Sequence, residues 1–146
     1  MPIPAFEESG DLPPGIHFAT LEEVLERFGG ESRARKEATA KLLRILRLTR
    51  QSGLVDRFVV FGSYVTDKAG PRDIDIVLVL KDNLDANALD PEMRLLLDHE
   101  KADAEFGASV FWIRPGLLID ETVDNFVRYW QTKRDKSFRG IVEILM

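Results

Sequence analysis

The sequence predicts a single α/β domain in which a small mixed sheet of roughly four strands is flanked by helices. Two runs rich in β-branched and aromatic residues, RFVVF at 57–61 and DIDIVLVL at 73–80, are typical of buried strands. Longer segments around them repeat apolar residues at helical spacing. The chain has 146 residues, 45% of them hydrophobic, which is enough to bury one sizeable core.

Two helices are expected before the first strand. Thr20 and Glu23 fit a capping box that opens a short helix, and apolar residues recur at helical spacing through residues 32–52. The first fifteen residues contain four prolines and two glycines, which favour an extended segment lying over the domain or, as the alternative, a mobile one. We therefore expect an extended N-terminal arm at 1–18 and a single domain at 19–146.

Beyond residue 80, helix and strand patterns alternate. Residues 90–106 open on an Asp-Pro-Glu sequence typical of a helix start, and ASVFWI at 108–113 predicts a third strand. A last helix is expected over about 120–134, because acidic residues stand at its start and basic residues at its end. GIVEILM at 140–146 is either a terminal strand, which we favour, or a packed turn.

The composition excludes several classes of site. The chain has no cysteine, so disulfides, thiolate nucleophiles and cysteine-based zinc sites are ruled out. Its two histidines cannot complete a tetrahedral site, so any bound metal would be held by oxygen. No window reaches the ~18 apolar residues of a membrane span, and no secretory signal pattern is present. We expect a soluble cytoplasmic protein that does not contact a membrane.

The net charge of −5 is unevenly distributed along the chain. Residues 1–31 hold seven acidic side chains against one arginine, whereas residues 32–52 hold seven basic side chains against one glutamate. The basic segment has two interpretations. We favour the solvated face of an amphipathic helix, and the alternative is a surface that contacts RNA or an acidic partner.

An Asp-x-Asp pair begins the second predicted strand. On a strand, Asp73 and Asp75 project from the same face, with Cβ atoms roughly 6.5 Å apart. Such pairs are frequent on surface strands and turns and are weak signals alone. Here the pair begins an otherwise apolar strand, so the acids stand at the rim of a buried sheet. Two carboxylates in this position suit Mg²⁺ or Mn²⁺.

A Gly-Ser pair directly follows the first predicted strand. Gly62 permits close approach of the backbone to a phosphate, and Ser63 adds a hydroxyl donor. The alternative is an ordinary turn with a helix cap. Three aromatic residues, Trp112, Tyr129 and Trp130, are expected in the core or an interface, with stacking on a base as the less frequent alternative.

Together, these motifs resemble a known superfamily. The segment FGSYVTDKAGPRDIDIVLVL follows the hydrophobic, Gly-Ser, spacer, Asp-x-Asp pattern of the polymerase-β-like nucleotidyltransferases, and the match covers residues 58–80. The wider layout, with LPPGIH near the start and RGIVEIL near the end, resembles a small bacterial branch of that superfamily. The resemblance implies a minimal nucleotidyltransferase core as the fold.

The resemblance also implies roles for the motif residues. Gly62 and Ser63 would hold a triphosphate, while Asp73 and Asp75 would coordinate divalent metals, Mg²⁺ or Mn²⁺. The implied reaction transfers a nucleoside monophosphate from a nucleoside triphosphate, expected to be ATP, to a protein or RNA acceptor. Metals would neutralise the phosphates and stabilise the departing pyrophosphate.

The spacer and the small size of the chain add two expectations. Thr66 and Lys68 are candidate phosphate contacts, although Lys68 is also explained as a solvated loop charge. Little chain remains for a separate acceptor-binding domain, so we expect a protein partner or a homo-oligomer. The resemblance suggests a toxin–antitoxin or phage-defence setting.

One position departs from the superfamily pattern. Active members usually carry a third carboxylate on a later strand, whereas ASVFWI has Ser109 there, and a neutral hydroxyl is a weak metal ligand. Nearby acids that might replace it, on the preceding predicted helix, are Asp98, Asp103 and Glu105. If none reaches the site, the alternative function is a catalytically impaired nucleotide-binding or partner-docking module.

Overall fold

The computed structural model describes residues 3–71, 73–83 and 85–146 and shows the predicted α/β fold with a mixed sheet. Within these ranges the sheet has five strands, one more than expected: β1 (Gly15–Ala19), β2 (Val55–Phe61), β3 (Ile74–Leu80), β4 (Ala108–Ile113) and β5 (Gly140–Ile144). Five α-helices accompany it: α1 (Leu21–Phe28), α2 (Arg33–Ser52), α3 (Pro91–Leu96), α4 (His99–Phe106) and α5 (Val123–Tyr129). Every helix in the described ranges is too short or too polar to span a bilayer.

The strands follow the order β1-β5-β2-β3-β4 across the sheet. β5 runs parallel to β1 and antiparallel to β2, so the last strand fills the position between the first two. β3 runs antiparallel to β2 and parallel to β4. The strand interpretation of residues 140–146 is therefore confirmed over Gly140–Ile144.

No sequence pattern predicted β1, which lies mostly within the segment assigned to an extended arm. Gly15 pairs with Gly140 and Ala19 with Ile144, so this segment forms an edge of the sheet. Leu12, just before β1, is fully buried in the core. Met1 and Pro2, at the start of the predicted arm, lie outside the described residues.

The two faces of the sheet are covered unequally. α1 to α4 pack on one face, which receives Ile76 and Leu78 of β3 in the larger core. Val77 and Val79 point to the opposite face, where the smaller core is completed by residues of the short helix α5. Since side chains alternate along a strand, Asp75 shares the face of Val77. The thinner cover on that face leaves room for a cleft beside α5.

The helix boundaries confirm some expectations and correct others. The capping box is present, with the Thr20 hydroxyl accepting from the Glu23 amide at 3.2 Å, and the long helix ends at Gly53 in the left-handed conformation, φ 67°. The single helix expected over 90–106 is instead α3 and α4. Asp98 separates them because its side chain accepts from the Lys101 amide and caps a new helix.

The last helix is also shorter than expected. It begins after the Thr122 cap and ends at Tyr129, rather than continuing to Arg134. The chain then folds back in a loop, residues 130–139, held by an isolated bridge between Thr132 and Phe138. The basic residues assigned to the helix end therefore lie in a loop, and the electrostatic match to a helix dipole was wrong.

A buried arginine joins α2 to the segment that follows β2. Arg35 is 7% exposed, and its guanidinium donates five hydrogen bonds of 2.6 to 3.0 Å to four backbone carbonyls. These belong to Phe28, Tyr64, Thr66 and Lys68. Burial lowers the pKa of Arg35, which shows that its charge is partly desolvated. We call this arrangement the Arg35 clamp.

Arg35→Met is expected to lower the free energy of unfolding by about 3 kcal/mol, because four buried carbonyls lose their donor. The measurement is the urea unfolding midpoint. Arg33→Met is the matched control on the same helix. The Arg33 side chain is 93% exposed and forms a surface ion pair with Glu37. The control should shift stability by less than about 0.5 kcal/mol. Equal shifts in the two variants would contradict the clamp.

Candidate functional site

A cleft of about 840 Å³ lies on the thinly covered face of the sheet, between the strand ends and the 130–139 loop. It brings together four residues predicted from the sequence: Gly62, Ser63, Lys68 and Asp75. Its remaining lining consists of Phe61, Ser109, Phe111, Tyr129, Trp130, Thr132, Lys133, Arg134, Asp135 and Arg139. The Gly-Ser turn and the second aspartate of the motif therefore face one space.

The contact between Gly62 and Asp75 defines the inner wall of the cleft. Gly62 has φ 81°, and a Cβ atom there would overlap the Asp75 carboxylate. Only glycine allows this backbone conformation and this approach together. Ser63 begins a single 3₁₀ turn rather than an α-helix, in which the Val65 and Thr66 amides donate to the Gly62 and Ser63 carbonyls. Phosphate binding at an α-helix N-terminus therefore does not apply here.

Two other predicted site residues lie differently. Asp73 precedes β3, is exposed and stands outside the cleft lining, although its charge is close enough to raise the pKa of Asp75. The Thr66 hydroxyl donates to the Ser63 carbonyl at 2.7 Å and accepts from the Lys68 amide at 3.2 Å. Thr66 thus shapes the loop, while the neighbouring Lys68 side chain reaches the cleft.

Asp75 is a partly buried carboxylate in a mixed electrostatic environment. Burial is the main cause that raises its pKa, and the negative charge of Asp73 acts in the same direction. Arg139 and Arg134 lower the pKa but do not offset burial. A divalent cation would relieve the cost of ionised Asp75 in this position.

Among the described residues, none of the three acids considered as replacements, Asp98, Asp103 and Glu105, lines the cleft. Ser109 is the direct partner of Asp75 across the parallel strands β3 and β4, at the position expected for that acid. Asp98 caps α4, Asp103 is exposed, and Glu105 accepts from Arg44 at 3.1 Å. In the described ranges, no three acidic or histidine side chains form a group able to hold a metal ion.

Basic residues of the 130–139 loop supply the part of the site that sequence reasoning missed. Lys133, Arg134 and Arg139 line the cleft opposite the Gly-Ser turn. The signal was available, since KRDKSFR at 133–139 holds four basic residues in seven. These residues were not proposed as site residues because Lys133 and Arg134 were assigned to the end of a helix. Asp135, the remaining acid of the lining, accepts hydrogen bonds from Ser137.

Aromatic rings form the floor and the mouth of the cleft. Trp130 packs against Phe111 and Phe61, with ring centroids 4.7 and 5.0 Å apart, so the core interpretation of this tryptophan is confirmed. It also lines the cleft, with Tyr129, 64% exposed, at the mouth. Trp112 lies elsewhere and donates from Nε1 to the Leu97 carbonyl at 2.7 Å.

The basic helix α2 uses some of its charges within the fold. Arg44 donates to the Glu105 carbonyl and carboxylate, and Arg33 pairs with Glu37 at 3.0 Å. Arg47 and Lys36 do not line the cleft. Contact of this helix with RNA therefore stays a prediction separate from the cleft.

The arrangement suits an anionic ligand that carries a divalent cation. Asp75 and the nearby Asp73 offer carboxylate oxygens, which are the ligands that Mg²⁺ prefers, and a metal at two acids takes its other ligands from water or a phosphate. The cations of the 130–139 loop and Lys68 complement the negative charge of such a ligand. The described residues that could hold a metal here are Asp75 in the cleft lining and Asp73 outside it, and they do not form part of a group of three ligands.

Asp75→Asn is expected to raise the melting temperature at pH 7, without divalent cations, by a few degrees. A carboxyl whose pKa rises on folding stabilises the fold below its unfolded pKa, and this contribution is lost as the pH rises through the folded pKa. The gain from the amide should therefore shrink towards about pH 4. Asp103→Asn, at an exposed site, is the control and should melt like the wild type. A lower melting temperature for Asp75→Asn at pH 7 would contradict the dominance of burial.

Comparison with known proteins adds a family but no activity. A family model described as a family of unknown function (DUF6932) matches residues 4–145, nearly the whole chain. No curated protein and no solved structure matches the chain. The family match includes all five strands and every residue that lines the cleft. The chain therefore belongs to the family of unknown function DUF6932.

Proposed function

We propose that the cleft binds a nucleoside triphosphate, expected to be ATP, together with Mg²⁺ or Mn²⁺, and that the protein transfers the nucleoside monophosphate to an acceptor. The observation that carries the proposal is the contact of the Gly62 backbone with the Asp75 carboxylate in a cleft lined by cations. It combines room for a phosphate, an oxygen ligand for a metal and positive charge. The resemblance of residues 58–80 to nucleotidyltransferases supports the same chemistry.

The proposed reaction is an in-line displacement at the α-phosphate. An acceptor hydroxyl oxygen forms a bond to the α-phosphorus, and the bond from that phosphorus to the bridging oxygen breaks. Pyrophosphate leaves with the electron pair, and the hydroxyl proton passes to solvent. Asp75 and Asp73 would hold the metal, whose charge stabilises the leaving pyrophosphate. Ser63 and Lys68 would position the phosphates beside the turn.

The acceptor and the biological setting belong to the same proposal. In this proposal the acceptor reaches the nucleotide at the cleft mouth, beside the exposed Tyr129. A protein partner or a second copy would therefore present the protein or RNA acceptor. The resemblance favours a toxin–antitoxin or phage-defence role in the cytoplasm.

The central test is metal-dependent binding and transfer by the wild type and by the Asp73→Ala, Asp75→Ala double variant. The wild type should bind ATP in calorimetry only with Mg²⁺ or Mn²⁺, and should label an acceptor from ATP labelled at the α-phosphate. The neighbouring gene product and tRNA are the acceptors to supply. The double variant should lose at least about 100-fold in transfer, because the metal has no carboxylate ligands.

The paired control for that experiment changes two exposed acids away from the cleft, Asp103→Ala and Asp90→Ala. It should bind and transfer like the wild type. Label transfer that persists in the Asp73→Ala, Asp75→Ala protein would sink the proposal. Absence of any metal-dependent triphosphate binding in the wild type would do the same.

A second candidate function is triphosphate binding without efficient transfer, used for sensing or for docking a partner. The observation that favours it is Ser109, which occupies the position directly across from Asp75. Two carboxylates can hold one metal against a phosphate but offer no ligand for a second ion that activates the acceptor hydroxyl. Calorimetry that shows metal-dependent binding, with no turnover on any acceptor, would favour this function.

Ser109→Asp tests whether the position across from Asp75 can supply a further metal ligand. Paired strands lie about 4.8 Å apart, so a carboxylate at this position would stand beside that of Asp75 and add a metal ligand. We expect about tenfold tighter Mn²⁺ binding, measured by calorimetry with a triphosphate analogue, because affinity rises with ligand charge. Ser109→Asn is the neutral control of similar size and should not tighten binding. Unchanged affinity in Ser109→Asp would show that this strand position does not face the metal.

A further inference from the structure

Arg139 occupies a special position in the cleft. It immediately precedes β5, which lies inside the sheet between β1 and β2, and its amide donates to the Gln131 carbonyl at 2.8 Å. Its guanidinium carbon lies 5.3 Å from the centroid of the Phe61 ring. The side chain is therefore fixed at both ends, by the sheet and by an aromatic face.

Arg139 is half-buried, and within the described residues one of its donors has no polar partner. Its Nε is inaccessible to solvent and has no hydrogen-bond acceptor among the described residues. The negative charges of Asp75 and Asp11 act on the Arg139 guanidinium from a distance. Among the described residues, neither acid forms a salt bridge with it. A buried donor and a desolvated cation are costly unless an anion completes them.

The cleft lining, Arg139 included, carries more positive than negative side chains. Four cations line it, Lys68, Lys133, Arg134 and Arg139, against two carboxylates, Asp75 and Asp135. Lys133 is already paired with Asp11 at 2.8 Å. Three cations then remain against two carboxylates, an excess of one positive charge that suits an anionic ligand.

The number of carboxylates in the site limits the number of divalent cations that can bind there with the ligand. Asp75 and Asp73 supply acid ligands at one end of the cleft, and Ser109 adds none. One divalent cation leaves part of a triphosphate charge uncompensated. A guanidinium offers a planar set of donors that binds phosphate oxygens and delocalises its charge.

Resting on the proposed triphosphate site, we propose that Arg139 binds the polyphosphate and takes the electrostatic role of a second metal ion, so that the site needs only one divalent cation. The Phe61 ring and the start of β5 hold the guanidinium ready for this contact. Trp130, whose buried Nε1 also has no acceptor among the described residues, borders the same space. Arg139 is thus a specificity residue that favours triphosphates over monophosphates.

The test compares binding of the α,β-methylene analogue of ATP, in Mg²⁺, to the full chain and its variants by calorimetry. Arg139→Gln should weaken binding by about 10- to 100-fold, as expected for the loss of a charged hydrogen bond. Arg139→Lys, which keeps the charge but not the planar donors, should fall between that variant and the wild type. AMP should bind Arg139→Gln and the wild type with similar affinity.

The matched control is Arg128→Gln. The Arg128 side chain on α5 is exposed, pairs with Asp124 and does not line the cleft. It should bind the analogue like the wild type. Thermal melts show whether Arg139→Gln is folded. The wild type alone provides an independent measurement: titration of Mn²⁺ into protein with equimolar analogue, followed by electron paramagnetic resonance, should show one bound ion per complex.

The outcomes separate this inference from the function on which it rests. If Arg139→Gln binds the analogue as tightly as the wild type does, or if the wild type takes up two Mn²⁺ ions per complex, the role of Arg139 is overturned. The proposed function is not affected by either result. A wild type that binds no triphosphate in the presence of Mg²⁺ overturns the proposed function itself. Weakening confined to Arg139 variants, with one bound ion, supports the role of Arg139 and triphosphate binding, while the labelling experiment tests transfer.

Discussion

The structure around the cleft depends on the Arg35 clamp. The buried guanidinium donates to the backbone carbonyls of Tyr64, Thr66 and Lys68, so that its own donors and these carbonyls satisfy one another. The clamp therefore holds the segment that follows Gly62 from the side of α2. Asp75 borders the turn on the cleft side. This turn is preorganised by the fold, and a ligand need not spend binding free energy on ordering it.

The alternation of side chains along the strands decides where the chemistry lies. Ile74, Ile76 and Leu78 fill the larger core, so Asp75 must face the side that the short α5 covers incompletely. The same rule places Ser109 and Phe111 of β4 on that side. A charged residue in a strand inside the sheet is tolerated there because it lines the open cleft, where water can reach it.

Sequence reasoning was most accurate where local chemistry determined the result. The Thr20 capping box, Gly53 and the apolar run of β3 each depend on near neighbours, and all appear as expected. β1 was missed because GIHFA is short and half-buried, and its partner β5 lies far along the chain. Half of the candidate site was also missed, since charges at 133–139 fit the end of a helix as well as a loop.

The insertion of β5 between β1 and β2 also has a kinetic consequence. The sheet can close only after residues 140–144 have left the ribosome, because the gap between the first two strands is filled by the last. Such non-local pairing is slow to form, and until then a β2 edge is open to aggregation. Arg139 immediately precedes that strand, so the cleft lacks this cation until residues 139–144 have been made and β5 has paired.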